Sequence, residues 1–246
     1  MLKAELHIHT GDDPIDFIPY STGDLIERAA ELGYQALAVT LHEHQLDLAR
    51  HQSHARDKGV VLIPGVERTI EGKHVLLLNF PHGADQLTTF ADLAALRARS
   101  HGLVIAPHPF FPASACLGSQ LTRYADLFDA VELNYFYMKL VDFNRPAIRW
   151  AKSHHKPVVA NTDVHSLAQL GPTYTLVDAE PTADAICEAV RDGRVAIRTA
   201  PISVFTAARY TVRLAEAFLR APLGGAVEPA DSQVPSPIDV RTSLPA

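Results

Sequence analysis

Two histidines stand two positions apart near the start of the chain, His7 and His9, within the apolar stretch AELHIH. Side chains at positions i and i+2 of a β-strand point to the same face, so this spacing predicts that the two imidazoles lie side by side. Histidines that meet carboxylates in this way bind zinc, manganese or iron. The pair by itself is equally typical of a polar sheet face, and the decision therefore depends on further ligands.

Further histidines and carboxylates stand at the ends of other apolar stretches. They are His42 after ALAVTL, Glu67 in LIPGVE, His74 before VLLL, His108 after VIAP, Glu132 and Asn134 in AVELN, and Asp163 and His165 in VVANTDVH. In a parallel β/α barrel the carboxyl ends of the strands share one rim, where catalytic residues lie. Buried histidines with a purely structural role would each need a hydrogen-bond partner. The convergence therefore favours a metal centre, and His44 could add a substrate contact.

The elements that position these residues alternate between short apolar runs and amphipathic stretches. STGDLIERAAELG, for example, predicts a helix that Ser21 or Thr22 caps and that Gly33 ends. Seven apolar runs alternate with such stretches, and TYTLVD predicts a short added strand. The alternation predicts an α/β fold with a largely parallel sheet, either open or closed into a barrel.

The length of 246 residues is within the range of one α/β barrel domain, and we expect a single domain over residues 1–220. VFTAARYTVRLAEAFLR predicts the last helix of this domain. The stretch from Ala221 to Ala246 is rich in proline and has no hydrophobic periodicity. It is therefore predicted to be a mobile tail.

Composition and charge limit the binding partners and the location that we expect for the protein. The formal net charge is -6 and no run of Lys and Arg occurs, so nucleic acid is an unlikely partner. Cys116 and Cys187 are far apart and form no metal-binding pair, which favours a reducing cytoplasm. No apolar run reaches the length of a membrane span, and the start of the chain lacks a signal-type apolar segment. A cytoplasmic location without membrane contact is expected, and the oligomeric state stays open.

Six short motifs follow one another between residues 7 and 165: HIH, TLH, PGVE, HVLLL, PHP and TDVH. In this order they resemble the PHP (polymerase and histidinol phosphatase) family, and the region from AVELN to RDGRVAIRT resembles the segment after the catalytic motifs in stand-alone members. The resemblance implies a distorted seven-stranded (β/α)7 barrel. It also implies a cluster of two or three divalent metal ions at the C-terminal rim of the strands.

The resemblance assigns ligands to each ion. One ion would be held by His7, His9, Glu67 and Asp163. Glu67 would bridge it to a second ion, which is also held by His74 and His108. A third ion would be held by His42, His165 and one acidic residue of the loop after the first strand, either Asp13 or Asp16, of which Asp16 is preferred.

One position departs from the family pattern. Leu41 stands where the family often has an acidic residue before the histidine, which removes an acceptor that would support the third ion. Catalysis is expected to depend on Glu67, Asp163 and His165.

The implied activity is metal-dependent hydrolysis of a phosphate ester by a metal-bound hydroxide. The substrate would be a small phosphorylated metabolite or a nucleotide, and the enzyme a phosphatase or a phosphodiesterase. An amidohydrolase is one alternative, although that class usually bridges its metals with a lysine, which no strand end here provides. A metal-binding scaffold without catalysis is the other. No substrate-binding residue can be assigned. The cations Arg68, Lys139, Arg145 and Arg198 are interpreted as surface charges, and the aromatic residues of ELNYFY as core.

Overall fold

A nine-stranded sheet forms the centre of the protein. The computed structural model describes residues 1–81 and 83–208, and Met1–Ala207 forms one compact unit. The strands are β1 (Leu2–Ile8), β2 (Ala36–Val39), β3 (Val61–Ile70), β4 (Lys73–Leu78), β5 (Leu103–Ala106), β6 (Ala130–Asn134), β7 (Val158–Asn161), β8 (Tyr174–Val177) and β9 (Val195–Arg198). Strands β2, β5 and β6 are buried along their whole length, as expected for strands that helices cover.

The strand order is β7-β6-β5-β4-β3-β2-β1-β8-β9. Strands β1, β2 and β3 pair in parallel, as do β5, β6 and β7. The first half of β1 pairs with β8, whereas Ile8 at its end forms a parallel bridge with Val164, which follows β7. This bridge brings the two ends of the β1–β7 run together, so that the sheet is nearly closed into a barrel.

The predicted α/β class is confirmed, but the predicted count of seven strands is wrong and the sheet is mixed. Strand β4 is antiparallel to both of its neighbours, and β8 and β9 add an antiparallel pair. The reversal of β4 is caused by a turn of only two residues between β3 and β4. These residues are Glu71 and Gly72, with φ of 50° and 76°. Two residues with positive φ close a hairpin, whereas a parallel strand needs a long crossover. As a consequence His74, the second residue of β4, pairs with Thr69 near the carboxyl end of β3.

Six α-helices flank the sheet between residues 1 and 203 of the described ranges. They are α1 (Thr22–Glu31), α2 (Gln52–Asp57), α3 (Phe90–Arg97), α4 (Gln120–Arg123), α5 (Asn144–Ser153) and α6 (Ala183–Arg191). Ser21, not Thr22, caps α1 in a reciprocal pair of hydrogen bonds with Asp24. Gly33 follows this helix with a φ of 75°, a left-handed conformation that glycine adopts without strain.

Three clusters of buried apolar side chains hold the helices against the sheet. The first includes Phe90 and Trp150 from α3 and α5, and the second includes Leu25 from α1 together with Leu41. The third includes Ile186 from α6. Full burial of one large apolar side chain stabilises a fold by about 1.5–3 kcal/mol. The clusters therefore fix the strand ends that carry the polar residues.

The C-terminal predictions fall mostly beyond the residues that the structure describes. Residues 204–208 are helical and belong to the predicted last helix. The predicted tail from Ala221 to Ala246 lies outside the described residues. Within the described part of the chain, no helix has the length and apolar character that crossing a membrane requires.

Candidate metal centre

Glu67 lies at the centre of a group of histidines. It sits on β3, and its side chain is 1% exposed. Its Oε2 atom contacts three imidazole nitrogens, Nε2 of His7 at 3.2 Å, Nε2 of His9 at 3.3 Å and Nε2 of His42 at 3.3 Å. Its Oε1 atom contacts two others, Nδ1 of His74 at 2.7 Å and Nε2 of His108 at 3.3 Å. The two oxygens of one carboxylate thus face two separate sets of histidines.

Asp163, which follows β7, closes another side of this group. Its Oδ1 atom lies 3.4 Å from Nε2 of both His7 and His9, and 3.4 Å from Nδ1 of His165. Asp163 and His108 have positive φ values of 52° and 29°. Such backbone conformations cost about 1–3 kcal/mol each in non-glycine residues and cluster at functional sites. The surrounding structure therefore holds two members of the group in an unfavourable conformation.

The spacing of the ligand atoms fits a metal ion. For metal–ligand bonds of about 2.0–2.1 Å in a tetrahedral site, neighbouring ligand atoms are about 3.3 Å apart. The contacts of Glu67 and Asp163 with His7 and His9 lie between 3.2 and 3.4 Å. Among the described residues, five buried polar atoms of this group make no contact with the geometry of a hydrogen bond: His7 Nε2, His9 Nε2, Glu67 Oε1, His74 Nδ1 and Asp163 Oδ1. The 2.7 Å contact between Glu67 Oε1 and His74 Nδ1 is close but lacks that geometry. Buried polar atoms without a hydrogen bond are rare in native proteins, and a cation between these five would satisfy them.

Three subsets of the group have ligand atoms that all lie within 4.8 Å of one another. They are His7, His9, Glu67 and Asp163; His42, Glu67 and His74; and His9, His42 and His165. The first subset coincides with the ligand set expected for the first ion. In the other two, His42 and His9 take the places at which the sequence placed His108 and a loop carboxylate.

Opposite charges are in close contact within the group. Burial alone would lower the pKa of His7. Three carboxylates outweigh this effect and raise that pKa to about 10, those of Asp163, Glu132 and Glu67. Burial alone would raise the pKa of Glu67, but His7 and His108 hold it well below its ordinary value. The group therefore attracts positive charge, which either protons or metal ions can supply.

Glu132 on β6 holds the imidazole of His7 from behind. Its Oε2 atom lies 2.8 Å from Nδ1 of His7 and accepts a hydrogen bond from Nδ2 of Asn161 at 3.1 Å. Its Oε1 atom accepts a hydrogen bond from Nδ2 of Asn134 at 3.0 Å. A carboxylate that accepts the Nδ1 proton fixes the tautomer and leaves the Nε2 lone pair for a metal. Glu132 is therefore in place to orient His7 toward Glu67.

Asp13 holds two imidazoles at once. Its Oδ2 atom lies 2.9 Å from Nδ1 of His9 and 3.1 Å from Nδ1 of His42, and it accepts a hydrogen bond from the backbone N–H of His42 at 2.9 Å. Its Oδ1 atom accepts hydrogen bonds from the backbone N–H groups of Ile15 and Asp16 at 2.9 and 3.0 Å. Both oxygens are thus engaged on the side of the rings that faces away from the Nε2 atoms.

Asp16, the other acidic residue of this loop, approaches the group at His165. Its Oδ2 atom lies 3.0 Å from Nε2 of His165, and this hydrogen bond lowers the pKa of the Asp16 carboxyl. Nδ1 of His165 lies 2.9 Å from the backbone carbonyl oxygen of Asp163. The two loop carboxylates therefore have different neighbours in the described structure. Asp13 contacts His9 and His42, whereas Asp16 contacts His165.

Comparisons with known proteins support the resemblance to the PHP family. Residues 142–195 match the PHP-associated family PHP_C. A stretch of 65 residues is 37% identical to the DNA polymerase III PolC-type of Caldanaerobacter subterraneus subsp. tengcongensis, and it covers 26% of this chain and 5% of that protein. These two matches confirm the resemblance to the PHP family over the segments that they cover. The match to the PHP-associated segment lies in the region that the sequence placed after the catalytic motifs.

Several solved structures share the fold of this chain. PsfC from Pseudomonas syringae gives a TM-score of 0.58 at 16% identity, over 89% of this chain and 98% of that one. A lesion-specific endonuclease Q from Pyrococcus furiosus gives 0.56 at 18%, over 80% and 57%. A putative metal-dependent phosphoesterase from Bifidobacterium adolescentis gives 0.53 at 14%, over 82% and 98%. Identities this low show the fold alone. One of these proteins is an endonuclease, so the shared fold gives no support to the expectation that nucleic acid is an unlikely partner.

One departure from the PHP pattern is compensated in the structure. Leu41 is fully buried in the same apolar cluster as Ile8 and Leu46, and it provides no carboxylate to its neighbour His42. The carboxylate of Asp13 contacts both the ring and the backbone N–H of His42 instead. The sequence named Asp13 only as a possible metal ligand and gave no sign of this contact.

Two further neighbours of the group carry no role in the sequence analysis. Glu132 was noted at the end of a strand, where its position on the same rim was the available signal. Cys116, which is 5% exposed, has its Sγ atom 3.4 Å from Nδ1 of His108. Because this contact spans a loop without periodic pattern, the sequence contains no signal that would have found it.

Proposed function

We propose that this PHP protein hydrolyses a phosphate ester with two or three divalent metal ions held around Glu67. The observation that supports this most directly is the division of the Glu67 carboxylate, whose Oε2 faces three imidazoles and whose Oε1 faces two others. A carboxylate divided in this way can bridge two ions, and two-metal sites are typical of enzymes that cleave phosphate esters. The metal-dependent phosphoesterase among the proteins of the same fold supports the same conclusion.

The proposed ligands are those that the resemblance implies, and the subset of His7, His9, Glu67 and Asp163 supports the first of the three sets. The first ion is assigned to His7, His9, Glu67 and Asp163, the second to Glu67, His74 and His108, and the third to His42, His165 and Asp16. Zinc, manganese and iron all suit this set of nitrogen and oxygen ligands. When bound, clustered ions of this kind activate a water molecule and stabilise the charge on the phosphoryl oxygens.

The protein's own residues orient the ligands and admit the substrate. Asp13 and Glu132 keep the protons of three imidazoles on Nδ1, so that the Nε2 atoms face the ions. Asp163 and His165 have side chains that are 26% and 36% exposed, whereas Glu67 is buried. We therefore assign the entry of the phosphate group to the side of Asp163 and His165, and we assign catalytic roles to these two residues together with Glu67.

Replacement of Glu67 by glutamine tests the proposal. The amide keeps the size of the side chain but removes its charge, so that two cations would repel each other across a neutral group. Metal analysis should show a loss of one ion or more, and hydrolysis of p-nitrophenyl phosphate with added manganese or zinc should fall by orders of magnitude. Glu71→Gln at the β3–β4 turn is the matched control, because Glu71 contacts the backbone N–H of Phe90 and not the group. A Glu67→Gln protein with full metal content and full activity would contradict the bridged cluster.

Assays on the same purified, metal-loaded protein distinguish the two alternative functions, an amidohydrolase and a metal-binding scaffold. In the amidohydrolase alternative a lysine usually bridges the metals, whereas the carboxylate of Glu67 takes the central position here. An assay of simple amides beside phosphate esters distinguishes these two hydrolases. A protein that binds two or three ions but turns over neither class of compound would be a metal-binding scaffold.

A further inference from the structure

An aromatic wall stands beside the histidines of the metal centre. We use this name for Phe111, in the loop after β5, and Phe143, immediately before α5. The ring of Phe111 lies 6.4 Å from the ring of His108, at an interplanar angle of 72°. The ring of Phe143 lies 5.5 Å from that of Phe111. The wall thus begins at a proposed metal ligand and extends away from it.

The outer part of the aromatic wall is open to solvent. Phe143 is 38% exposed, and it ends a loop in which Leu140 and Val141 are exposed as well. Exposed apolar side chains are ordinary when they occur singly, whereas several of them together mark a binding surface. The ring of Phe111 connects this surface to the ring of His108. A substrate bound at the metal centre could therefore cover the surface.

Two cations lie on the same stretch of chain as Phe143. Arg145, two residues after it, lies 3.5 Å from Asp142. Lys139, on the loop before α5, is exposed. The ring of Phe143 itself presents an apolar face, so an uncharged flat group that packs on it would bury apolar surface.

We propose that the substrate carries an aromatic ring next to its phosphate group, and that this ring packs on Phe111 and Phe143. The proposal rests on the proposed function, because it assumes that the phosphate group binds at the metal centre. An aryl ester carries its ring directly on the ester oxygen, and a nucleotide carries its base across one ribose from the phosphate, so both present a flat ring on the same molecule as the phosphate group. Offset or edge-to-face contacts between aromatic rings are favourable beyond the burial of their area.

A binding measurement tests the proposal without turnover. Phenylphosphonate and methylphosphonate are titrated calorimetrically into the manganese-loaded protein, because neither has an ester bond to hydrolyse. Contacts between a base and an aromatic side chain lower the dissociation constant by about ten-fold or more per ring. We therefore expect phenylphosphonate to bind about ten-fold more tightly than methylphosphonate. Equal affinity for the two compounds would overturn the proposal.

Variants locate the ring. Phe143→Ala should remove the preference for phenylphosphonate and leave methylphosphonate binding unchanged, and Phe143→Tyr should restore it. Phe111→Ala should do the same, but it also touches His108, so Phe143→Ala is the decisive variant. Phe17→Ala is the control, since Phe17 is an exposed aromatic residue at 94% in the loop after β1. Loss of the preference in Phe17→Ala, with retention in Phe143→Ala, would overturn the assignment to the aromatic wall.

Turnover of two further compounds distinguishes the sources of the ring and separates this proposal from the proposed function. A nucleoside monophosphate should be hydrolysed with a higher kcat/KM than glycerol phosphate, and Phe143→Ala should lower this ratio about ten-fold. A 5′-phosphorylated oligonucleotide tests whether the ring belongs to a nucleic acid. If phenylphosphonate binds preferentially but no ester is hydrolysed, the aromatic wall is supported and the phosphoesterase function fails.

Discussion

Asp13→Asn tests whether one carboxylate orients two metal-binding histidines. Asparagine keeps the size of the side chain but replaces one oxygen by an NH2 group, which only donates. If the remaining oxygen faces His9 and His42, the NH2 group meets the N–H donors of Ile15 and Asp16. If the NH2 group faces the rings instead, each Nδ1 must accept, and Nε2 then carries the proton. In either arrangement one set of contacts is lost.

The expected size of the effect follows from the number of rings that depend on Asp13. Removal of a partner that orients a metal-binding histidine typically lowers metal affinity about 10- to 100-fold. Asp13 contacts two such rings, at 2.9 Å for His9 and 3.1 Å for His42. For an ion bound by one of the two rings, we therefore expect Asp13→Asn to lower the metal affinity by at least this factor. For an ion bound by both rings, the loss of affinity should be larger. A ten-fold change corresponds to about 1.4 kcal/mol of binding free energy.

Competition with a chelator of known affinity measures this effect directly. Asp12→Asn is the control, because Asp12 accepts hydrogen bonds from Thr22 at 3.1 Å and from Arg50 at 2.8 Å and does not contact the histidines. Surface contacts of this kind contribute little, so its metal affinity should stay within a few-fold of the original value. Unchanged affinity in Asp13→Asn would refute the orienting role. Complete loss of one ion, with the others bound as before, would instead identify Asp13 as a ligand.

Four further outcomes are expected. Glu132→Gln should lower metal affinity about 10- to 100-fold in the same chelator assay, because it removes the acceptor of the His7 Nδ1 proton. Leu41→Asp should lower the midpoint of urea unfolding, because it buries a charge in an apolar cluster while His42 already has a carboxylate partner. Deletion of residues 221–246 should leave metal content and the unfolding midpoint unchanged, in line with our proposal that residues 1–220 form one barrel domain. Metal binding at pH 7 should release protons, because the pKa of His7 rises from 6.5 to about 10, and calorimetry in two buffers of different ionisation enthalpy measures this release.

The sequence indicated which histidines and carboxylates would lie near one another because most of them end an apolar run. Apolar runs show where strands stop, and the carboxyl ends of neighbouring strands meet on one side of a sheet. His7, His9 and Asp163 therefore lie together around Glu67, as their positions suggested. Which of them bind an ion is a separate question, and the Glu67→Gln measurement addresses it.

The direction of β4 was the part of the fold that the alternating pattern misrepresented. Two apolar runs separated only by Glu71 and Gly72 already carry the signal of a hairpin. A reading based on β/α alternation passes over this signal, because it expects a crossover after every strand. The hairpin matters for the site, since the reversal of β4 brings His74 to Glu67 at 2.7 Å.

The contacts of Asp13 with His9 and His42 could not be predicted from the sequence, for a different reason. The position of Asp13 depends on a loop that its own Oδ1 atom closes, through hydrogen bonds to Ile15 and Asp16. Such a loop has no period, so spacing along the chain does not show that Asp13 reaches both His9 and His42. Only the distances between atoms separate a carboxylate that orients a ligand from one that binds a metal.

Charge balance connects these features. Glu67 and Asp163 face the imidazoles from one side, and Asp13 and Glu132 face them from the other. Buried charges persist only when opposite charges compensate them. Without metal, protons on histidines such as His7 supply this compensation, and the stabilisation is fully present below a pH of 6.5 and is lost as the pH rises through about 10. Metal ions can replace these protons, so the carboxylates that hold the metal-free cluster together are also those that orient it for binding.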